Sequence, residues 1–202
     1  MNLYYSPGAC ALASQIILRE AGMNFEMIKV DLKAKQYAGG DFKAINPKGY
    51  VPALQMKSGE VLTEGSVILQ WIADQVPEKN LIPKHGTPER YKAMEWLNYI
   101  ATELHKGIGS LFYASSMSEE SIKMTHDRLQ LRLAVLDKHL QTNEFILGKN
   151  FSVVDAYAYN ILRWAPMLKV DLSNHHALQG LVNKMAERPT VRDAVAAEGI
   201  RL

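Results

Sequence analysis

The chain has 202 residues, room for one large domain or two small ones, and 23 Lys and Arg against 21 Asp and Glu leave a formal net charge of +2. That balance, with no basic stripe interleaved with aromatics, argues against nucleic acid as the main partner. A single cysteine excludes an internal disulfide framework and fits a reducing compartment. The first residues lack the regions of a signal peptide, and no apolar run approaches the ~18 residues of a membrane helix, so the sequence predicts a soluble, cytoplasmic protein.

Leu3-Tyr4-Tyr5 reads as a short strand, Pro7-Gly8 as a turn, and Ala11 to Ala21 as a helix ended by Gly22. Cys10 therefore falls at or just inside the first turn of a helix. Unpaired N–H groups and the helix dipole favour an anion there, and a thiolate is such an anion. A lone cysteine is also commonly a small buried hydrophobe, and both roles stay open. Because Ala13 stands three residues on, a two-thiol redox cycle within one chain is excluded. What remains is a monothiol site, or a site for another molecule's thiol.

Phe25 to Asp31 alternates as a half-buried strand does, and Leu32 to Ile45 is polar and irregular. Asn46-Pro47 and Lys48-Gly49 read as turns, Ala53 to Met56 as a strand, Lys57 to Glu60 as a hairpin turn and Val61 to Thr63 as the returning strand. Glu64-Gly65-Ser66 opens a helix from Val67 to Gln75. One parallel crossover and one antiparallel hairpin make a mixed four-stranded sheet with helices packed on it, an α/β domain over residues 1–76. Residues 77–88 hold three prolines and read as a linker. Residues 89–202 are helical in period throughout, an all-α domain. Its expected elements are one long segment from Glu89 to Tyr113, a helix opened by Ser118, and a nearly all-apolar central helix from Val153 to about Leu168. Two shorter helices follow, divided at Arg188-Pro189. Ser152 and Asp155 form a capping box ahead of the central helix.

Three places offer chemistry. Val51-Pro52 precedes a strand; a cis bond there would leave the Val51 N–H and C=O to pair with an extended peptide, whereas a trans bond would make it an ordinary turn. Gly65 and Ser66 at a helix start suit a carboxylate or phosphate, and Glu64 suits an amino group, although a plain capping turn has the same residues. Asn98, Glu103, His105 and Lys106 lie on the long helical segment, where a histidine can tune a nearby thiol or serve only as an ordinary helical residue. The adjacent His175 and His176 diverge on a helix and complete no metal site, so no metal is expected.

Taken together, Tyr5 to Cys10, Val30-Asp31-Leu32, Asn46 to Leu54, Leu62 to Gly65, Trp96 to Lys106, the Ser152–Asp155 box and Met185 to Pro189 resemble the bacterial beta-class glutathione S-transferases, in order and over the whole chain. The resemblance implies the glutathione transferase fold: a thioredoxin-like first domain, an all-helical second domain bearing an electrophile-binding wall, and a homodimer. Its activity would be conjugation of glutathione, a co-substrate with no further cofactor, to small hydrophobic electrophiles. It implies a cis Val51–Pro52 bond with Val51 pairing to glutathione's cysteine, and the γ-glutamyl end held by Glu64, Gly65 and Ser66. Cys10 and His105 would lie by the sulfur, and Lys35, Asn98, Thr102, Glu103, Leu104 and Lys106 would complete the site. The family's serine after the cysteine is here Ala11, so one hydroxyl that would donate to the thiolate is missing. A monothiol glutaredoxin-like oxidoreductase and a non-catalytic carrier of glutathione or hydrophobic ligands are the alternative readings.

Overall fold

The computed structural model describes residues 1–200. In chain order its elements are β1 (Asn2–Tyr5), α1 (Ala11–Glu20), β2 (Glu26–Asp31), β3 (Gln36–Tyr37), β4 (Gly40–Asp41), β5 (Ala53–Gln55), β6 (Val61–Thr63), α2 (Gly65–Asp74), α3 (Pro88–Tyr99), α4 (Lys106–Ser110), α5 (Glu119–Leu140), α6 (Val153–Leu162), α7 (His176–Glu187) and α8 (Pro189–Glu198). They form two compact units, Met1–Ile82 with the chain from Glu187 on, and Pro83–Ala186. The final helix, continuous in sequence with the helical region, thus belongs with the sheet.

The sheet of the first unit has six strands in the order β4-β3-β2-β1-β5-β6, not the four that the sequence pattern predicts. The additional pair, β3 and β4, is a hairpin of two-residue strands inside the stretch from Leu32 to Ile45. Two residues are too few to show the alternation that marks a strand. β1 runs parallel to β2 and antiparallel to β5, and β5 is antiparallel to β6. Register decides what lies at each end. Tyr4 pairs with Ala53 and Ala53 with Thr63, so these residues form one row across three strands. Just beyond that row the chain leaves β1 towards Cys10, enters β5 from Val51-Pro52 and leaves β6 into Glu64-Gly65-Ser66. Three segments far apart in sequence therefore gather at one edge of the sheet.

Tyr4, Ala11, Val30, Phe42, Val51 and Ala53 form a buried cluster under that edge. α1 contributes Leu12, Ile16, Ile17 and Leu18, all fully buried, and α2 contributes Ile68, Leu69 and Ile72. α1 ends as the sequence predicts: Gly22 takes a left-handed conformation (φ +68°), and the Met23 N–H returns to the Leu18 carbonyl at 3.0 Å.

In the second unit α6 is buried at every residue, as an apolar central helix should be. It stops at Leu162, short of the expected Leu168. Pro166 accounts for this, since its ring would clash with the Leu162 carbonyl four residues back. The segment from Glu89 to Tyr113 is likewise not one uniform helix. α3 ends at Tyr99, Ile100–His105 widen into a π-helix, α4 follows, and Leu111–Ser116 tighten into 3-10 turns.

The capping box is fully formed and fully buried. The Asp155 carboxylate accepts from Ser152 N (2.8 Å), Ser152 Oγ (2.7 Å) and Ile146 N (2.7 Å), while Ser152 Oγ accepts from Val154 N (3.2 Å). Burial pushes this carboxyl up from 3.8 to about 6, against the lowering effect of its donors. Asp155→Ala leaves three donors without an acceptor and should cost about 3 kcal/mol or more at pH 7, read by urea unfolding. Between its unfolded and folded pKa values the native state holds the extra proton, so stability from Asp155 is complete below about pH 4 and falls as pH rises through 6. The gap between wild type and Asp155→Ala should accordingly be wider at pH 4.5 than at pH 7; a gap that widens with rising pH would contradict this.

Candidate active site

Ser6 to Ala9 form a type II turn. Pro7 supplies the fixed φ of its second position, Gly8 the positive φ (+75°) of its third, and Ala9 N–H closes it onto the Ser6 carbonyl at 3.0 Å. Cys10 follows as the residue capping α1. Its thiol is partly exposed and donates to the Val51 carbonyl at 3.0 Å. The Val51–Pro52 bond is cis, as the resemblance implied. The thiol thus rests against the backbone that leads into β5. Ala11 belongs to the buried cluster beneath the turn, so a hydroxyl carried on this side chain would sit in the sheet core.

Lys35 has a left-handed backbone (φ +57°), and its Nζ donates to the Gly49 carbonyl at 3.0 Å. Its stem lies over Gly49, where a Cβ would come within 3.4 Å of Lys35 Cδ; with φ at +67° that position suits glycine twice over. Lys35 Nζ also stands 5.9 Å from the centre of the Tyr50 ring. Glu64, ahead of α2, holds φ +69° and ψ +113° and makes no side-chain capping bond. Its carboxylate meets Lys48 Nζ at 2.5 Å, and the same ammonium donates to Thr63 Oγ1 at 3.0 Å. Gly65 lies beside Pro52, its Cβ position 3.8 Å from the proline ring. The Ser66 carbonyl accepts from Gln70 Nε2 within α2. Cys10, Lys35, Val51, Pro52, Glu64, Gly65 and Ser66 are thus all carried by the first unit. Lys48 is an addition, a cation within the Asn46–Leu54 motif whose pairing with Glu64 no sequence spacing announces.

In the helical unit, Asn98, Thr102 and Lys106 are exposed, whereas Leu104 is fully buried and its side chain belongs to the core. Glu103 pairs with Arg132 Nε at 2.6 Å, and Tyr99 Oη donates to the Arg132 carbonyl at 2.9 Å. His105 Nδ1 lies 2.8 Å from Tyr157 Oη, and the ring packs against Trp164 at 5.3 Å, which in turn meets Phe112 at 5.3 Å. The π-helix carries Thr102 to His105 together, and such turns recur at functional sites. Tyr157 and Trp164 escape sequence reasoning because α6 and the turn after it bring them to His105 from more than fifty residues away. Among the described residues there is no cluster of three His, Cys, Asp or Glu that could hold a metal, and no helix is long and apolar enough to cross a membrane.

A non-glycine residue at the backbone angles of Glu64 costs about 1–3 kcal/mol, whereas an ion pair as exposed as that with Lys48 (62% and 49% side-chain exposure) returns less than about 1. Glycine is also acceptable ahead of a helix. Glu64→Gly should therefore stabilise the protein by about 1 kcal/mol in urea unfolding. A loss of stability would mean that the pair, not the backbone, dominates.

Comparison with known proteins shows the family. The family models for the N-terminal and the C-terminal domain of glutathione S-transferase match residues 8–75 and 99–189. Glutathione S-transferase GstA of Escherichia coli O157:H7 is 44% identical over 202 residues, all of both chains. A sphingomonad glutathione S-transferase complexed with glutathione superposes with a TM-score of 0.94 at 42% identity, covering 100% of each chain. The beta-class enzyme of Sphingomonas chungbukensis gives 0.94 at 40% identity, again over 100% of both. The chain belongs to the glutathione S-transferase family, as a bacterial beta-class member.

Proposed function

We propose that this transferase binds glutathione along the Val51 edge of its first unit and presents the ionised sulfur beside Cys10 to small hydrophobic electrophiles. The observation that carries the reading is the Cys10 thiol set 3.0 Å from the Val51 carbonyl, on the edge where the Glu64-Gly65-Ser66 segment also emerges. Glutathione has two carboxylates, one ammonium and a thiol. Val51 supports strand-like pairing with the cysteinyl backbone. Glu64 takes the γ-glutamyl ammonium, displacing Lys48, and the Gly65 and Ser66 N–H groups at the start of α2 take the adjoining carboxylate. Lys35 offers an ammonium to the glycyl carboxylate. Within the helical unit, Leu104 belongs to the core beneath Asn98, Thr102, Glu103, His105 and Lys106, and the aromatic side chains of Trp164 and Phe112 offer a surface to a small hydrophobic electrophile.

A thiol of ordinary pKa is only about 3% ionised at pH 7, so complete ionisation alone gains at most roughly thirtyfold. The rest of the acceleration comes from holding the thiolate in line with the electrophilic carbon. On a chlorinated aromatic, the sulfur lone pair forms the C–S bond and chloride leaves with the C–Cl electron pair. The first turn of α1 favours the anion before attack. A homodimer forms part of this reading; the exposed Tyr91 and Met94 of α3 and Met124, Leu131 and Val135 of α5 are large apolar side chains that a second copy would cover. A reducing cytoplasm would keep the lone thiol reduced.

The partly exposed, unbridged Cys10 favours one further activity. Its thiolate attacks a mixed disulfide between glutathione and another thiol, forming a Cys10–glutathione disulfide and expelling the other thiol as its thiolate; a second glutathione thiolate then attacks that disulfide, releasing the Cys10 thiolate and leaving as glutathione disulfide. Cys10→Ala should retain conjugation of chlorodinitrobenzene within about threefold while abolishing glutathione-dependent disulfide reduction. If neither activity changes, the cysteine is passive. If wild type neither conjugates nor binds glutathione, the function proposed here fails.

A further inference from the structure

α8 is fastened along α1 at both ends. At its start, Glu20 Oε1 accepts from Arg188 Nη2 at 2.7 Å, Arg188 Nε at 3.0 Å and Thr190 Oγ1 at 2.5 Å. At its end, Glu198 Oε2 accepts from the backbone N–H of Gly8 at 2.7 Å, a bond spanning 190 residues of sequence. Since Glu20 closes α1 and Gly8 precedes it, the two helices run antiparallel.

The two fastenings are not alike. Glu20 and Arg188 form a partly buried ion pair, a common way to dock a helix. Glu198 is a carboxylate only 7% exposed, in the last turn of a helix, where the dipole is negative. Burial and dipole both count against it, and a carboxylate persists at such a place only with strong donors. The donor it meets is the one that the type II turn leaves over. Ala9 N–H closes that turn, so Gly8 N–H points out of it and needs an acceptor elsewhere. The Glu198 charge also reaches Tyr5 at the end of β1, whose phenol is pushed up first by burial and then by this carboxylate. Glu198 therefore stands against both the strand and the turn that deliver Cys10.

We propose that Glu198 is a positioning residue for the sulfur-binding turn: by holding Gly8 N–H it fixes the placement of Cys10 and of the first turn of α1. The part of it that concerns catalysis rests on the glutathione reading above. The C-terminal helix thereby becomes part of the thiol site.

The test separates position from charge. The Glu198→Gln side chain can still accept from Gly8 through its amide oxygen; Glu198→Ala cannot. Glu198→Ala should lower kcat/KM for glutathione about 10- to 100-fold, with Glu198→Gln close to wild type. Because the chain has one cysteine, the rate of alkylation by iodoacetamide reports on Cys10 alone, and it should change about fivefold or more in Glu198→Ala and little in Glu198→Gln. Should Glu198→Ala fail to fold, amide hydrogen exchange of Gly8 in the wild type decides: protection supports the clamp, and exchange at an open-chain rate overturns it. A folded Glu198→Ala with wild-type kinetics and alkylation overturns the proposal, as does a Glu198→Gln impaired as severely as Glu198→Ala. Absence of glutathione turnover in the wild type would refute that reading alone, because alkylation and exchange need no glutathione.

Discussion

One cross-strand row, Tyr4–Ala53–Thr63, determines where everything functional in the first unit can be. A slip of one residue between β1 and β5 would turn every side chain of one strand to the other face of the sheet, and would carry Val51 away from Cys10. The buried cluster of Tyr4, Ala11, Val30, Phe42, Val51 and Ala53 prevents that slip. The same apolar residues thus hold the fold and set the spacing of the site. Ala11 illustrates this. It stands next to Cys10 in sequence, but its methyl serves the core while the thiol faces the Val51 carbonyl.

Charge is distributed by the same economy. The exposed pair of Lys48 and Glu64 is weak, and a ligand's ammonium can replace one partner at little cost. The buried carboxylates are another matter. Asp155 meets three donors at the start of α6, and Glu198 meets a backbone amide at the foot of the Cys10 turn. Each is costly to bury, and each ties together segments that apolar packing alone would leave free to shift.

Much of this was legible in the sequence, because local rules wrote it. Pro7-Gly8 announces a turn, Gly22 the end of α1, and Ser152 with Asp155 the start of α6; the structure has all three. The spread of motifs over the full length was specific enough to indicate the family. What the sequence hid depends on distance along the chain. β3 and β4 are too short to show a period. The widening at Ile100–His105 has no local signature, since its residues suit an ordinary helix equally well. Tyr157 beside His105, Lys48 beside Glu64 and Glu198 beside Gly8 are pairings that only the folded chain creates.

The central claim is that the edge shared by Cys10 and Val51 receives the tripeptide. A crystal of the protein soaked in glutathione tests it most directly. The account predicts the cysteinyl backbone paired to Val51, the sulfur against Cys10 at the foot of α1, and the ammonium at Glu64 in place of Lys48. Tripeptide density elsewhere, with the Cys10–Val51 edge empty at saturating glutathione, would contradict it.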